Sequence, residues 1–253
     1  MELISDRKRE DVFEVRRRFL VRALTLGLFV GWGATREALA MASPRAMTLG
    51  QSIYRLSGPV WVDGRRADAD TRVAPDAELV TGSGSELVFV VGTDAFILRE
   101  NSRLALTPVH DAAATEQRGN RSILLEGLHL LSGKLLSVFG QRERARGPDL
   151  RTPVATIGIR GTGVYLEAET DRTYVCTCYG TTELRSLRDA QSRERVASSH
   201  HDEPRYVVGE GRPGQLIEPA PMINHTDMEL ELVEALVGRK PPFAQSASRY
   251  DRY

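Results

Sequence analysis

Cysteine occurs twice in the 253 residues, at Cys176 and Cys178, within the strand-like segment RTYVCTCYGTTEL. In an extended strand, residues i and i+2 point to the same face, and their Cα atoms lie ~6.5 Å apart. A disulfide needs Cβ atoms ~3.8 Å apart, so a bond between these two would bend the backbone and be easily reduced. Two thiolates on one metal ion need sulfurs ~3.7 Å apart, because tetrahedral bonds are ~2.3 Å long. The spacing therefore favours the geometry of a metal site.

Histidines downstream of the cysteines lie in segments that can fold back and complete such a site. We predict that the ligands are Cys176, Cys178, His201 and His225. His200 or Asp202 could substitute for one of the histidines. Thiolates combined with imidazoles suit zinc, copper or an iron-sulfur cluster. The residues alone leave two other interpretations open. The pair is also compatible with a redox-active or strained disulfide, or with reduced, partly buried thiols that pack as small apolar side chains.

The overall composition is that of an ordinary folded protein, with 41% hydrophobic residues and 34 basic side chains balancing 34 acidic ones. A nucleic-acid-binding protein usually has an excess of basic residues, so we expect no nucleic acid as a partner. The chain contains neither a Gly-x-Ser-x-Gly nor a His-Glu-x-x-His motif. The segment GIRGTG lacks the Lys-Ser/Thr ending of a phosphate-binding loop. We therefore predict that the protein is not an enzyme.

From residue 50 onward, short apolar-alternating segments are separated by turn residues. They predict strands near 78–81, 85–91, 94–98 and 103–106, a hairpin turn at Asp63-Gly64, and breaks at Gly127 and Gly133. Residues 107–122 and 141–150 are predicted to be loops. Short strands at intervals near ten residues indicate an all-β fold, solenoid-like, sandwich-like or a barrel, and the periodicity does not choose among these.

Four segments in this order resemble the FecR domain, named after the periplasmic regulator of ferric-citrate uptake: SGPVWVDGRRA, ELVTGSGSELVFVVGTDAFILRENSRLAL, LLSGKLLSVFG and RTPVATIGIRGTGVYLEAE. The resemblance covers residues 50–186. Its most specific residues are Thr152, Pro153, Ile159, Arg160, Gly161 and Thr162. The resemblance implies a non-catalytic, extracytoplasmic β domain that works by contacts with partner proteins or ligands. The best-known relatives relay signals through a cytoplasmic helical domain, which the sequence does not predict, so only the domain is carried over.

The first 40 residues are predicted to be an export signal. Arg16, Arg17, Phe19 and Leu20 resemble the twin-arginine motif, and a glycine-broken apolar run follows that is too short to span a bilayer comfortably. The sequence Ala-Leu-Ala, residues 38–40, fits a cleavage site. We expect a signal helix, cleavage after Ala40, a linker over 41–49, transient contact with the twin-arginine translocase, a periplasmic location and no stable membrane span.

Residues 187–253 are predicted to form a C-terminal extension. It begins with a polar loop, continues with short strands in PRYVV and GQLIEPA, and contains an amphipathic helix over 227–237. Thr226 and Glu229 form a capping-box pattern at the start of the helix, and Gly238 suits its end. The apolar stripe is expected to pack on the β domain, and a mobile tail follows.

Two functional hypotheses follow. The first is a periplasmic FecR-like module that binds a partner protein or small ligand in envelope sensing or signalling. The alternative is a metal-binding or redox protein whose cysteine and histidine site links the β domain to the C-terminal extension. If both histidines lay more than ~10 Å from the cysteines, a shared mononuclear site would be excluded, since ligand bonds are only ~2 Å long.

Overall fold

The computed structural model describes residues 52–108, 125–140 and 147–247, which contain fourteen strands and two helices. The strands are β1 Ile53–Ser57, β2 Val60–Val62, β3 Arg65–Arg66, β4 Glu78–Thr81, β5 Glu86–Val91, β6 Asp94–Leu98, β7 Arg103–Pro108, β8 Leu125–Val138, β9 Asp149–Arg151, β10 Ala155–Ala168, β11 Arg172–Ser186, β12 Arg193–Ser198, β13 Arg205–Val208 and β14 Ile217–Pro219. The helices are α1 Asp227–Leu236 and α2 Pro242–Ala247. The predicted export signal, the Ala40 site and the 41–49 linker lie outside the described residues.

Three long strands, β8, β10 and β11, form the centre of the sheet. β10 pairs antiparallel with β11 along nearly its whole length, and its second half pairs on the other side with β8. The strand pair β8–β9 is parallel. β12 and β13 pair with successive parts of β11, so the sheet continues past residue 186.

The prediction of an all-β fold is confirmed. Strands β4 to β7 fall where the alternation predicts them, and β2 and β3 form the predicted hairpin. Its turn residues, Asp63 and Gly64, have φ angles of 50° and 73°. Two consecutive positive φ values match the twist of a hairpin, which explains the strength of the Asp-Gly signal.

Several local predictions were wrong. β9 lies partly within the predicted 141–150 loop. β8 runs through Gly127 and Gly133, which were expected to break it. Gly133 has a φ of 92°, and a Cβ there would lie 2.5 Å from the Cα of Ser102. The absence of a side chain at Gly133 therefore allows two backbones to approach closely without interrupting the strand. The polar stretch after residue 187, expected to be a loop, contains β12, because its pairing with β11 outweighs its polar composition.

Alternate residues of the long strands face two separate apolar cores. Val164, Leu166 and Val175 belong to the larger core. Tyr165 and Cys176 belong to a smaller core, which also contains buried residues of α1. The cysteines thus lie on the face of the sheet that α1 covers.

The predicted amphipathic helix is confirmed as α1. Thr226 caps it, with the full capping box to Glu229, and Leu230, Val233 and Leu236 are buried. Residues 242–247 form α2, which overlaps the start of the predicted tail at 244–253, and proline suits the first position of a helix. The remainder of that tail, 248–253, lies outside the described residues. Within the described ranges, no helix is long and apolar enough to cross a membrane.

Candidate metal centre

Strand β11 carries both cysteines into the core beneath α1. Cys176 lies opposite Tyr165 of β10 in the register, and the thiols of Cys176 and Cys178 are fully buried. Neither cysteine is part of a disulfide. Both side chains point to the same face because they are two residues apart in an extended strand.

A gap in the strand pairing of β11 explains how a histidine reaches the cysteines. β13 pairs with residues 172–175 and β12 with residues 180–185, so neither strand pairs with residues 176–179. The turn that joins β12 to β13 fills this gap. There the backbone N–H of His201 donates to the carbonyl of Cys178 over 2.9 Å.

The turn itself is held by Asp202. Its Oδ2 accepts hydrogen bonds from the backbone N–H of Ser199 at 2.7 Å and from the Ser199 hydroxyl at 2.8 Å. His201 then adopts a left-handed backbone with a φ of 56°. Asp202, predicted as a substitute ligand, therefore fixes the turn and is not among the clustered ligands. His200, the other substitute, pairs with Asp227, with Nε2 2.9 Å from both carboxylate oxygens.

His225 comes from the segment just before α1. Its Nδ1 donates to the carbonyl of Ile223 over 2.7 Å, and its ring stacks on Tyr165 with centroids 4.5 Å apart. The N–H of Ile223 in turn donates to the hydroxyl of Tyr174 over 3.2 Å. These contacts fix the imidazole ring with its Nε2 towards the cysteines.

The structure brings together the four residues that the sequence analysis selected. The Sγ of Cys176 lies 3.4 Å from Nδ1 of His201, and the Sγ of Cys178 lies 3.5 Å from Nε2 of His225. The two inner nitrogens are 3.0 Å apart, and all four donor atoms lie within 4.8 Å of one another. A regular zinc tetrahedron, with bonds of ~2.3 Å to sulfur and ~2.05 Å to nitrogen, gives S···N of ~3.6 Å and N···N of ~3.3 Å. These three distances differ from the tetrahedral values by about 0.1–0.3 Å, so they are compatible with one tetrahedral ion.

Both histidines use their outer nitrogens in hydrogen bonds. The outer Nε2 of His201 lies 3.1 Å from Oδ1 of Asp227, and the outer Nδ1 of His225 lies 2.7 Å from the carbonyl of Ile223. Each outer nitrogen therefore carries the proton, since its partner only accepts. Inner nitrogens 3.0 Å apart hold either a proton or a cation between them. Although burial opposes it, the contacts with Cys176 and Asp227 raise the pKa of His201, which favours a proton there when no cation is present. A metal ion can take the place of that proton, and such outer partners are typical of metal-binding histidines.

The two thiols differ in their acidity. A hydrogen bond from Cys178 lowers the pKa of Cys176 to about 4, with burial opposing and the two histidines assisting. Burial raises the pKa of Cys178 well above its usual value. Without a cation the pair therefore holds one negative charge and keeps one proton. Ionising both thiols inside the core requires a positive ion beside them.

The contacts also bear on which cofactor fits. In a two-iron cluster with two cysteines and two histidines, the cysteines bind one iron and the histidines the other, with the sulfide core between them. Here each sulfur is in direct contact with a nitrogen at 3.4–3.5 Å. One ion fits this space, and a cluster does not.

His201 contacts Cys176 through Nδ1 and Asp227 through Nε2. This series of contacts resembles a catalytic nucleophile, its base and a carboxylate that orients the base. A catalytic thiol must reach its substrate, yet Cys176 has 0% of its surface exposed and a second histidine closes the site. The arrangement therefore favours metal coordination over thiol catalysis.

The family-motif residues lie in β10 or just before it: Thr152, Pro153, Ile159, Arg160, Gly161 and Thr162. Thr152 Oγ1 accepts from the N–H of Ala155 over 3.1 Å, so it holds the start of the strand. Arg160 pairs with Glu183 of the neighbouring strand at 2.8 Å. These contacts are structural, and the motif residues are separate from the cysteine and histidine set.

Sequence reasoning missed Asp227. The sequence predicts Asp227 only as the first residue of a helix, although it lies two residues after His225 in the segment NHTD. Its position at the first turn of α1, set by the capping box, aims its carboxylate at both His200 and His201. Its carboxylate, two residues from a predicted histidine ligand, is the signal that could have identified it.

The chain is similar over part of its length to known crystal structures. No family model matches the chain, and no curated protein matches it. Two crystal structures of a "putative anti-sigma factor" from Parabacteroides distasonis ATCC 8503 are similar in part, at 15% and 16% identity with TM-scores of 0.41 and 0.40. Each match covers 56% of this chain and 58% of the other. The aligned region thus spans little more than half of those proteins.

Proposed function

We propose that this protein is a non-catalytic metal-binding module in which one zinc ion joins the β-sheet to the C-terminal segment. The ligands are Cys176 and Cys178 of β11, His201 of the β12–β13 turn and His225 before α1. The observation that carries the proposal is the pair of inner nitrogens 3.0 Å apart, each beside a cysteine sulfur and each with its outer nitrogen already hydrogen-bonded.

Zinc fits this donor set better than the alternatives. All four ligands come from the protein and all are buried, so the site has no open position for substrate. Closed, four-coordinate sites with two cysteines and two histidines are typical of structural zinc. The proposed role of the ion is to hold together three segments that are far apart in the sequence.

The test is to purify the protein from its natural export route and measure metal by mass spectrometry alongside free thiols. We expect one zinc ion per chain, with thiols that react only after denaturation in chelator. Cys176→Ser and His225→Ala should lose the metal. His129→Ala, which changes a histidine outside the site, should keep it. Two free thiols without metal in the wild type would refute the proposal, and a disulfide would favour the redox alternative.

We propose further that the module is an exported FecR-like domain that binds a protein partner or ligand in the envelope. The ordered motif set over 50–186 and the twin-arginine-like pattern support this. Replacing Arg16 and Arg17 together by lysine should keep the protein in the cytoplasm. Normal export of that variant, measured by fractionation, would contradict a twin-arginine signal.

A further inference from the structure

A second group of potential ligands lies directly outside the proposed zinc site. It comprises His200, His201 and Asp227, whose ligand atoms lie within 4.8 Å of one another. Nε2 of His200 is 2.9 Å from both carboxylate oxygens of Asp227, and Nε2 of His201 is 3.1 Å from one of them. Imidazole and carboxylate together are ligands for divalent transition-metal ions.

His201 belongs to both groups. Its Nδ1 faces the Cys176 thiol and His225, whereas its Nε2 faces the Asp227 carboxylate. The inner ligands are buried, but the side chains of His200 and Asp227 are 47% and 45% exposed. An ion that approaches from solvent on this side therefore meets the outer group first, and one imidazole ring separates it from the inner group.

The outer histidine is held in place by packing. Its ring stacks on Phe243 of α2 with centroids 4.5 Å apart and planes 25° apart. Asp202 also accepts from the backbone N–H of His200 at 3.3 Å within the turn. A ligand that is fixed before the ion arrives loses little conformational freedom on binding.

We propose that His200 and Asp227 form an outer capture site for a divalent metal ion, through which the ion is loaded into the buried site. This inference rests on the proposed function, because the captured ion is the one that the cysteines finally hold. The outer site offers imidazole and carboxylate, so it binds more weakly than the inner thiolates, and transfer inward is favoured. The one proton that the thiol pair keeps is released on binding and passes to solvent.

A capture site changes the rates at which the metal ion enters and leaves the buried site, but it leaves the equilibrium affinity of the buried site unchanged. Loss of the outer site should slow loading and release by the same factor, with the dissociation constant of the inner site unaltered. Groups that raise the local concentration of a cation near its binding site increase the association rate of that cation by at least ~tenfold. We expect a decrease of about that size when His200 is removed.

The experiment measures Co²⁺ binding to the metal-free full chain by stopped flow, using the thiolate-to-cobalt absorption as the readout. The variants are His200→Ala and His200→Phe, the second of which keeps an aromatic ring to stack on Phe243. Glu231→Gln, on an exposed part of α1, is the control. Release into excess chelator and the equilibrium dissociation constant are measured for each protein.

Slower loading and release in both His200 variants, with an unchanged dissociation constant, would support the capture site. Wild-type rates in either variant would overturn it and leave the proposed zinc site intact. A weaker equilibrium affinity without slower loading would also overturn it, because His200 would then stabilise the bound state. Failure of the wild type itself to take up Co²⁺ with thiolate absorption would instead refute the proposed function.

Discussion

Replacing Asp227 by asparagine tests whether this carboxylate positions His201 for the metal. The substitution keeps the shape of the side chain and an acceptor oxygen, but it removes the charge that lies 3.1 Å from Nε2 of His201. Loss of such outer partners lowers metal affinity about 10- to 100-fold. Because the Asp227 side chain is 45% exposed, solvent screens it, and we expect the lower end of that range. A tenfold weaker dissociation constant corresponds to about 1.4 kcal/mol.

Asp227 also lies in the first turn of α1, where a negative charge stabilises the helix by ~0.3–1 kcal/mol. That contribution is present with or without metal, so it appears in the unfolding free energy of the metal-free protein. The positioning effect appears only as the difference between the loaded and metal-free proteins. Measuring both by denaturant unfolding separates the two effects.

The assay is competition for Zn²⁺ against a chelator of known affinity, on the wild type, Asp227→Asn and Glu231→Gln. The last variant removes a charge of the same sign from an exposed position of the same helix. We expect it to bind zinc within about twofold of the wild type, since solvent screens its charge. Equal losses in the two variants, or no loss in Asp227→Asn, would refute the positioning role.

Three further predictions concern the fold around the site. Gly133→Ala should destabilise the protein by ~3 kcal/mol or more in thermal unfolding, because it adds a steric clash to a left-handed backbone. Gly84 also has a left-handed backbone but has open space around it, so Gly84→Ala should cost ~1–2 kcal/mol in the same assay. Arg239→Ala leaves the buried carboxylate of Glu234 without its ion pair and should cost ~3 kcal/mol. The corresponding change at the exposed Arg55 should cost less than ~1 kcal/mol, and similar losses at both sites would contradict the role of burial. Removing the metal should speed hydrogen exchange in α1 and the β12–β13 turn and leave β4 and β7 unchanged, whereas a uniform change across the sheet would contradict the proposed fastening role.

Local sequence patterns predicted the elements that depend on local chemistry. The capping box around Thr226 and the Asp63-Gly64 turn appear in the structure because short-range hydrogen bonds and positive φ angles determine them. β12 was missed because its polar side chains lie at the sheet edge, where backbone pairing with β11 decides the conformation. Gly133 was misread because a close approach of two strands looks like a break when only one strand is known.

The ligand residues were predicted from their types, but their selection among alternatives depends on long-range topology. His200 and His201 are neighbours in the sequence, and only the left-handed backbone at His201 directs one ring inward and the other outward. That conformation depends in turn on Asp202, which closes the turn through its own hydrogen bonds. No spacing rule distinguishes these histidines without the turn.

The interrupted pairing of β11 connects the fold to the proposed site. A continuous partner strand at residues 176–179 would satisfy the backbone there and leave no room for the turn that carries His201. With two shorter strands in its place, the backbone N–H of His201 satisfies the carbonyl of Cys178, and the His201 side chain reaches the thiol of Cys176. In this gap a turn that carries the proposed ligand His201 therefore takes the place of regular strand pairing. Because the remaining ligand, His225, immediately precedes α1, an ion bound there would stabilise the docking of the helix over the cysteines.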